Sequence, residues 1–177
     1  MFDINVSNEQ LAFASNMVEN YNFGNRGYAD GNKSEQETGI IGQTVFADLI
    51  GQERPSGENG FDGGFDFVIN GKRVDIKTMG RTVPMKDNYV HNFVGCQKKY
   101  DAEYYVFASY NKKTEVLTIC GYIDKESFFE KADFFAEGTK RTRTDGTSFK
   151  TKADLYEIVQ NKLNSAGSIE DILNGIK

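Results

Sequence analysis

The chain has 177 residues, 38% of them hydrophobic and 13% aromatic, with two prolines, two cysteines and a formal net charge of −5. That length and apolar content suit one domain with a core of its own, not a disordered segment, and no apolar run approaches the ~20 residues of a membrane-spanning helix. MFDINVSNEQ at the start lacks the basic residues and apolar stretch of a signal peptide, and Cys96 and Cys120 suit buried thiols better than a disulfide framework, so an intracellular, cytoplasmic location is expected.

The charge is unevenly spread. Residues 1–70 carry 3 Lys/Arg against 11 Asp/Glu, a balance of −8, whereas residues 71–177 carry 18 against 15, a balance of +3. Two stretches are locally basic: 77–99, with Arg81, Lys86, Lys98 and Lys99, and 137–152, with Lys140, Arg141 and Arg143. Phosphate contacts need such local clusters whatever the total charge, although a solvated polar surface shows similar runs.

In chain order, Ser7 and Gln10 have capping-box spacing and open a helix to about Tyr21, with Leu11, Ala14, Met17 and Val18 as its apolar stripe. A Gly/Asn loop follows over 22–33. A second helix is predicted from about Ser34 to Ile50, stopped by Gly51, with Ser34 and Glu37 spaced as a capping box. A Gly-rich loop over 51–63 leads into a hairpin at 64–78. Residues 79–92 read as irregular and 93–100 as a short helical turn. Tyr104–Tyr110 and Glu115–Tyr122 read as a second hairpin. Asp124 caps a third helix to about Phe135, the segment 137–151 is polar and turn-rich, Leu155–Val159 is a strand or a helix start, and Ser168 caps a last short helix. Helix, helix, hairpin, hairpin, helix, strand, helix is the order of an α/β or α+β domain with a central mixed sheet flanked by helices.

The first hairpin is the most informative segment. Asn70-Gly71 tolerates the positive φ of a type I′ turn, which fixes the register of the strands on either side. Alternation then sets Phe65, Phe67, Ile69, Val74 and Ile76 on an apolar face and Asp66, Val68, Arg73, Asp75 and Lys77 on the other. Asp66 and Asp75 fall opposite each other, and like charges in that relation cost roughly 0.2–1 kcal/mol. Holding a divalent cation is a purpose that such a pair serves. The plainer alternative is a surface ion pair with Arg73 or Lys77.

Asp66 opening one strand and the tripeptide Asp75-Ile76-Lys77 on the next resemble the core of the PD-(D/E)XK nuclease superfamily. The resemblance covers roughly residues 34–110, within a core of about 34–123, and implies a restriction-endonuclease-like fold for the single domain. It implies that Asp66 and Asp75 ligate Mg²⁺, with Mn²⁺ as a substitute, and that the Ile76 carbonyl adds a ligand. It makes Lys77 the catalytic lysine. Glu37 is the expected third acid, against the reading of Glu37 as a cap alone. The family helix often has Gly-Glu where this chain has Gly42-Gln43, and Gln43 at that position replaces one acid by a neutral group. Gln97, in Gln97-Lys98-Lys99-Tyr100, resembles a helix found after the motif in some of these nucleases.

The implied activity is an Mg²⁺-dependent nuclease, expected to be an endonuclease, that hydrolyses DNA phosphodiester bonds with metal-activated water. Arg81, Lys86, Lys98, Lys99, Lys140, Arg141 and Arg143 are the candidate contacts to DNA. A phage or mobile-element origin fits so compact an enzyme, and a homodimer or a protein partner is compatible with it. The alternative is a catalytically inert protein of the same fold that binds nucleic acid or a DNA-processing partner. Other chemistries are poorly supported: His91 and Cys96 have nothing to orient them, there is no zinc-type spacing and no Walker loop, and Tyr104-Tyr105, Phe128-Phe129 and Phe134-Phe135 read as packing residues.

Overall fold

The structure is a computed structural model that describes residues 1–21, 23, 31–57, 64–142 and 146–177. In chain order it forms β1 (Phe2–Asn5), α1 (Asn8–Asn20), α2 (Lys33–Ile50), β2 (Phe67–Ile69), β3 (Lys72–Arg81) and β4 (Val90–Val94). A 3₁₀ turn at Gly95–Lys99 precedes β5 (Tyr104–Asn111), β6 (Val116–Asp124), α3 (Lys125–Lys131) and β7 (Asp133–Phe135). A small hairpin of β8 (Lys140–Thr142) and β9 (Ser148–Lys150), then β10 (Leu155–Val159) and α4 (Ile169–Gly175), complete the chain.

The turn that sets the first hairpin is formed as its residues dictate: Asn70 and Gly71 take φ of 52° and 78°, the left-handed values of a type I′ turn. Phe67 pairs with Val74, Val68 with Arg73 and Ile69 with Lys72. Phe67, Ile69, Val74 and Ile76 are buried while Val68 is 48% exposed, which is the period-two pattern read from the sequence. Phe65 departs from it. The regular ladder ends at Phe67, because the Asp66 N–H bonds to Val74, the partner of Phe67, so the expected Asp66–Asp75 pairing is not formed. Phe65 packs against the aromatic cluster on the opposite side of the sheet.

The main sheet has the order β1-β6-β5-β3-β2. β3 and β5 run parallel and the other pairs antiparallel, so the sheet is mixed and the fold is α/β. Parallel neighbours need a long crossover, and here residues 82–103 supply it, carrying β4 with them. β4 joins β10 and β7 in a second sheet of order β4-β10-β7. On one face of the main sheet lies an aliphatic core built with α1, α2 and α4, including Val18, Ile41, Val45, Phe46 and Ile172. On the other lies an aromatic core of Phe93, Tyr105, Phe107 and Phe128, closed by the second sheet and α3. Asn70 also donates to the carbonyls of Leu173 and Ile176, tying the hairpin turn to the end of α4.

α2 lies close against β3. A Cβ on Gly42 would fall 1.8 Å from Thr78 Oγ1 and 2.8 Å from its Cβ, so glycine at this mid-helix position is a packing requirement. The N-terminus of α2 corrects the sequence reading. Asn32, not Ser34, is the cap, and Glu35, not Glu37, closes the capping box. α3 ends at Lys131, and Phe134 and Phe135 belong to the edge strand β7 rather than to the helix. β1, β4 and the β8–β9 hairpin occupy stretches that carried no strand expectation, and Leu155–Val159 resolves as a strand.

Candidate functional site

At the open end of β2 the backbone ladder is continued by a side chain. The Asp66 N–H donates to the Val74 carbonyl at 2.9 Å, and Asp66 Oδ2 accepts from the Ile76 N–H at 2.8 Å. Because the N–H and C=O of an extended residue point to the same neighbour, the Ile76 carbonyl is directed past the end of β2 as well. Asp66 Oδ1 accepts from Gln43 Nε2 of α2 at 2.6 Å. Gln43 therefore holds the helix position beside the first acid.

Asp75 and Lys77 project from β3 toward the aromatic core. Asp75 is 6% exposed, and its Oδ2 lies 2.6 Å from Lys77 Nζ. The Lys77 ammonium also sits 5.7 Å from the Phe93 ring centroid, a cation–π distance. Two partners for one ammonium, one charged and one aromatic, fix its place. Such a pair recovers its desolvation cost only while both members are present. Tyr105 faces Asp75 across the parallel β3–β5 ladder, and its hydroxyl is buried without a hydrogen-bond partner. Burial, with the Asp75 charge as a smaller cause, pushes its phenol above the ordinary tyrosine range.

Asp66 is thus bonded to the Ile76 N–H and to Gln43, and the Asp75–Lys77 pair projects from the residues on either side of Ile76 into the aromatic core. Glu37 is not in that group. It lines a separate pocket of about 460 Å³ with Leu11, Thr38, Tyr110, Lys112 and Glu115. Among the described residues no group of three or more His, Cys, Asp or Glu side chains converges as metal ligands. The available donors, two carboxylates and a backbone carbonyl, are hard oxygens. They suit an Mg²⁺ ion that keeps several waters and takes its remaining ligands from a phosphate.

The candidate phosphate contacts divide into cations that tie elements together and cations at the surface. Arg81 donates to the Val90 carbonyl at 2.6 Å and stacks 5.0 Å from the Tyr89 ring, so it ties β3 to β4. Arg141 pairs with the buried Glu157 at 2.6 Å and lies 3.7 Å from the Phe135 ring centroid, which anchors the β8–β9 hairpin on the second sheet. Both are committed to the fold. Lys86, Lys98, Lys99 and Lys140 are exposed, and Lys140 stands directly opposite Lys150. Arg143 lies outside the described residues. Gln97 is half-buried in the 3₁₀ turn, where its carbonyl accepts from the Tyr100 N–H.

His91 is structural. It is 1% exposed, its Nε2 lies 2.7 Å from Gln160 Oε1, and Gln160 Nε2 donates to the Cys120 carbonyl. Because that amide uses its nitrogen on Cys120, the proton of the neutral imidazole belongs on Nε2. Desolvation lowers the imidazole to about 4, and burial pushes the Cys120 thiol up to about 12. Neither is poised for nucleophilic catalysis.

Sequence reasoning missed two features. The cross-strand partner of Asp75 is Tyr105, a relation invisible until the parallel pairing of β3 with β5 is known. Phe134, read as a packing residue, is 52% exposed. Among the described residues no helix is long and apolar enough to cross a membrane. Comparison of the chain with protein-family models, with curated proteins and with solved structures found no match.

Proposed function

We propose that this protein is an Mg²⁺-dependent deoxyribonuclease with a restriction-endonuclease-like core. The observation that carries the reading is the bond of Asp66 to the Ile76 N–H, with the Asp75–Lys77 pair on the two residues that flank Ile76. In this reading Asp66, Asp75 and the Ile76 carbonyl would hold the ion, which would supply Lewis-acid activation of water and offset charge on a phosphate. Lys77 orients that water or steadies the developing negative charge. Asp75 fixes the Lys77 ammonium on one side and the Phe93 ring faces it on another. Mn²⁺ substitutes for Mg²⁺ on the same oxygen ligands.

One observation favours a second reading, an inert protein of the same fold that binds nucleic acid or a DNA-processing partner. The Gln43 amide occupies the place beside Asp66 where a third acid would strengthen the site, and Glu37 stands elsewhere. Cleavage of supercoiled plasmid, linear duplex and single-stranded DNA with Mg²⁺, Mn²⁺ or EDTA separates the two. Metal-dependent cutting by the wild type that is lost in Asp75→Ala supports the nuclease. Absence of cutting by folded protein with either metal favours the inert binder.

A further inference from the structure

An aromatic row crosses the second sheet and ends in the open. Phe93 on β4 stands opposite Tyr156 on β10, and Tyr156 stands opposite Phe134 on the edge strand β7. Exposure rises along the row, from 1% at Phe93 through half-buried Tyr156 to 52% at Phe134. The Phe134 and Tyr156 rings are 5.0 Å apart at an interplanar angle of 48°, and Tyr156 meets Phe129 edge-on at 4.9 Å. Lys98 lies over this group. Its Nζ is 4.7 Å from the Phe129 centroid, 5.6 Å from that of Tyr156, and 3.5 Å from the Tyr156 hydroxyl.

A single exposed apolar ring is ordinary on a protein surface, but this one lies on an edge strand and continues a row of rings over which an ammonium stands. Here the ring is backed by Tyr156, half of its surface is open, and the Lys98 ammonium stands over the adjoining Tyr156 and Phe129 rings. A π-face with an adjacent cation matches the two parts of a nucleotide, a base that stacks and a phosphate that pairs. A protein partner or a lipid surface calls for a broader apolar patch than this one ring. The inner end of the row is Phe93, whose face also receives the Lys77 ammonium. The row therefore connects the candidate site to the edge, Phe134 lying two strand spacings, ~10 Å, from Phe93.

We infer that Phe134, backed by Tyr156 with Lys98 standing over that neighbouring ring, is a stacking platform for an unpaired base of single-stranded nucleic acid, outside the strand-end site. The inference rests on the reading of that site as one that handles nucleic acid, but it concerns binding and is tested without cleavage. The chain contains no tryptophan, so Phe134→Trp places a single indole reporter on the platform. An oligothymidylate is titrated in EDTA into this variant, with an abasic strand of the same length in parallel.

The expected result is quenching of the indole by oligothymidylate and not by the abasic strand. Fluorescence anisotropy with labelled oligothymidylate should show Phe134→Ala binding about tenfold more weakly than the wild type, its thermal midpoint unchanged. Equal quenching by the abasic strand would reduce the platform to a phosphate contact and overturn the inference. So would unaltered affinity in Phe134→Ala, or self-association of the wild type that this substitution abolishes, since the ring would then cover a second copy of the chain. Quenching without metal-dependent cleavage would leave the platform standing and fail the nuclease reading, and cleavage without quenching would do the reverse.

Discussion

The two faces of the main sheet are built from the same strands and differ in what they bury. The face under α1, α2 and α4 is largely aliphatic, with Val45, Ile41, Val74 and Ile76 fully enclosed. The face under the second sheet is aromatic, and among those rings it encloses Asp75, the Tyr105 hydroxyl and His91 and half-buries Lys77. A core chosen for stability alone does not bury titratable groups, because each must be paired or held neutral. The aliphatic face explains why the chain folds. The aromatic face is where its chemistry is placed, and the experiments below press on that division.

The largest effect is expected at the Asp75–Lys77 pair. Asp75→Ala should lower metal-dependent cleavage at least 100-fold. It should also destabilise the fold by about 2–3 kcal/mol, because the half-buried Lys77 ammonium loses its counter-ion and the buried Asp75 site is emptied. Removing Lys77 as well should restore part of the stability and none of the activity, which chemical denaturation and a cleavage assay would separate. If the single variant keeps full stability, the pair is solvated and the aromatic face is less closed than described.

A comparable effect is expected from pH. His91 is held near 4 in the folded state against an ordinary value of 6.5. Between these values the unfolded chain binds a proton that the folded one refuses, so stability is whole above pH 6.5 and declines as the pH falls toward 4. The loss should be on the order of 3 kcal/mol. Urea unfolding at pH 7, 5.5 and 4.5 should show this slope in the wild type and a shallower one in His91→Gln.

On the aliphatic face, Gly42→Ala should cost about 2 kcal/mol, the range for forcing a methyl group into a filled contact. Thermal unfolding measures it, and a neutral result would mean that Thr78 yields. The smallest effect is expected at Gln43→Glu. Without metal it sets a second carboxylate against Asp66 and should destabilise by about 1 kcal/mol. With Mg²⁺ present, the added ligand should reverse that loss.

The two faces also differed in how much the sequence disclosed. The first hairpin was legible from Phe67 to Ile76, because Asn70-Gly71 fixes a local turn and alternation does the rest, but not at Phe65 and Asp66, where the regular ladder has ended. α2 was legible in its apolar stripe but not in its start, since Asn32 and Ser34 are both good caps and only the fold selects between them. The second sheet was largely hidden. Its strands are three to five residues long and come from distant parts of the chain, so no local period announces them. The same non-locality hid Tyr105 as the neighbour of Asp75 and left Phe134 looking like a helix-packing residue. Gln43 was visible as a substitution for an acid, but its bond to Asp66 required the helix to be set on the sheet.

The account turns on whether Asp66 and Asp75 hold a divalent ion. The direct measurement is the thermal midpoint of the wild type and of Asp75→Asn, titrated with Mn²⁺ and with Mg²⁺. A bound ion stabilises the folded state by mass action, so the wild type should rise with metal concentration and saturate, while Asp75→Asn should stay flat. A wild type that is as indifferent to both metals as the variant would contradict the metal site and leave the Asp75–Lys77 pair as a structural ion pair within an inert fold.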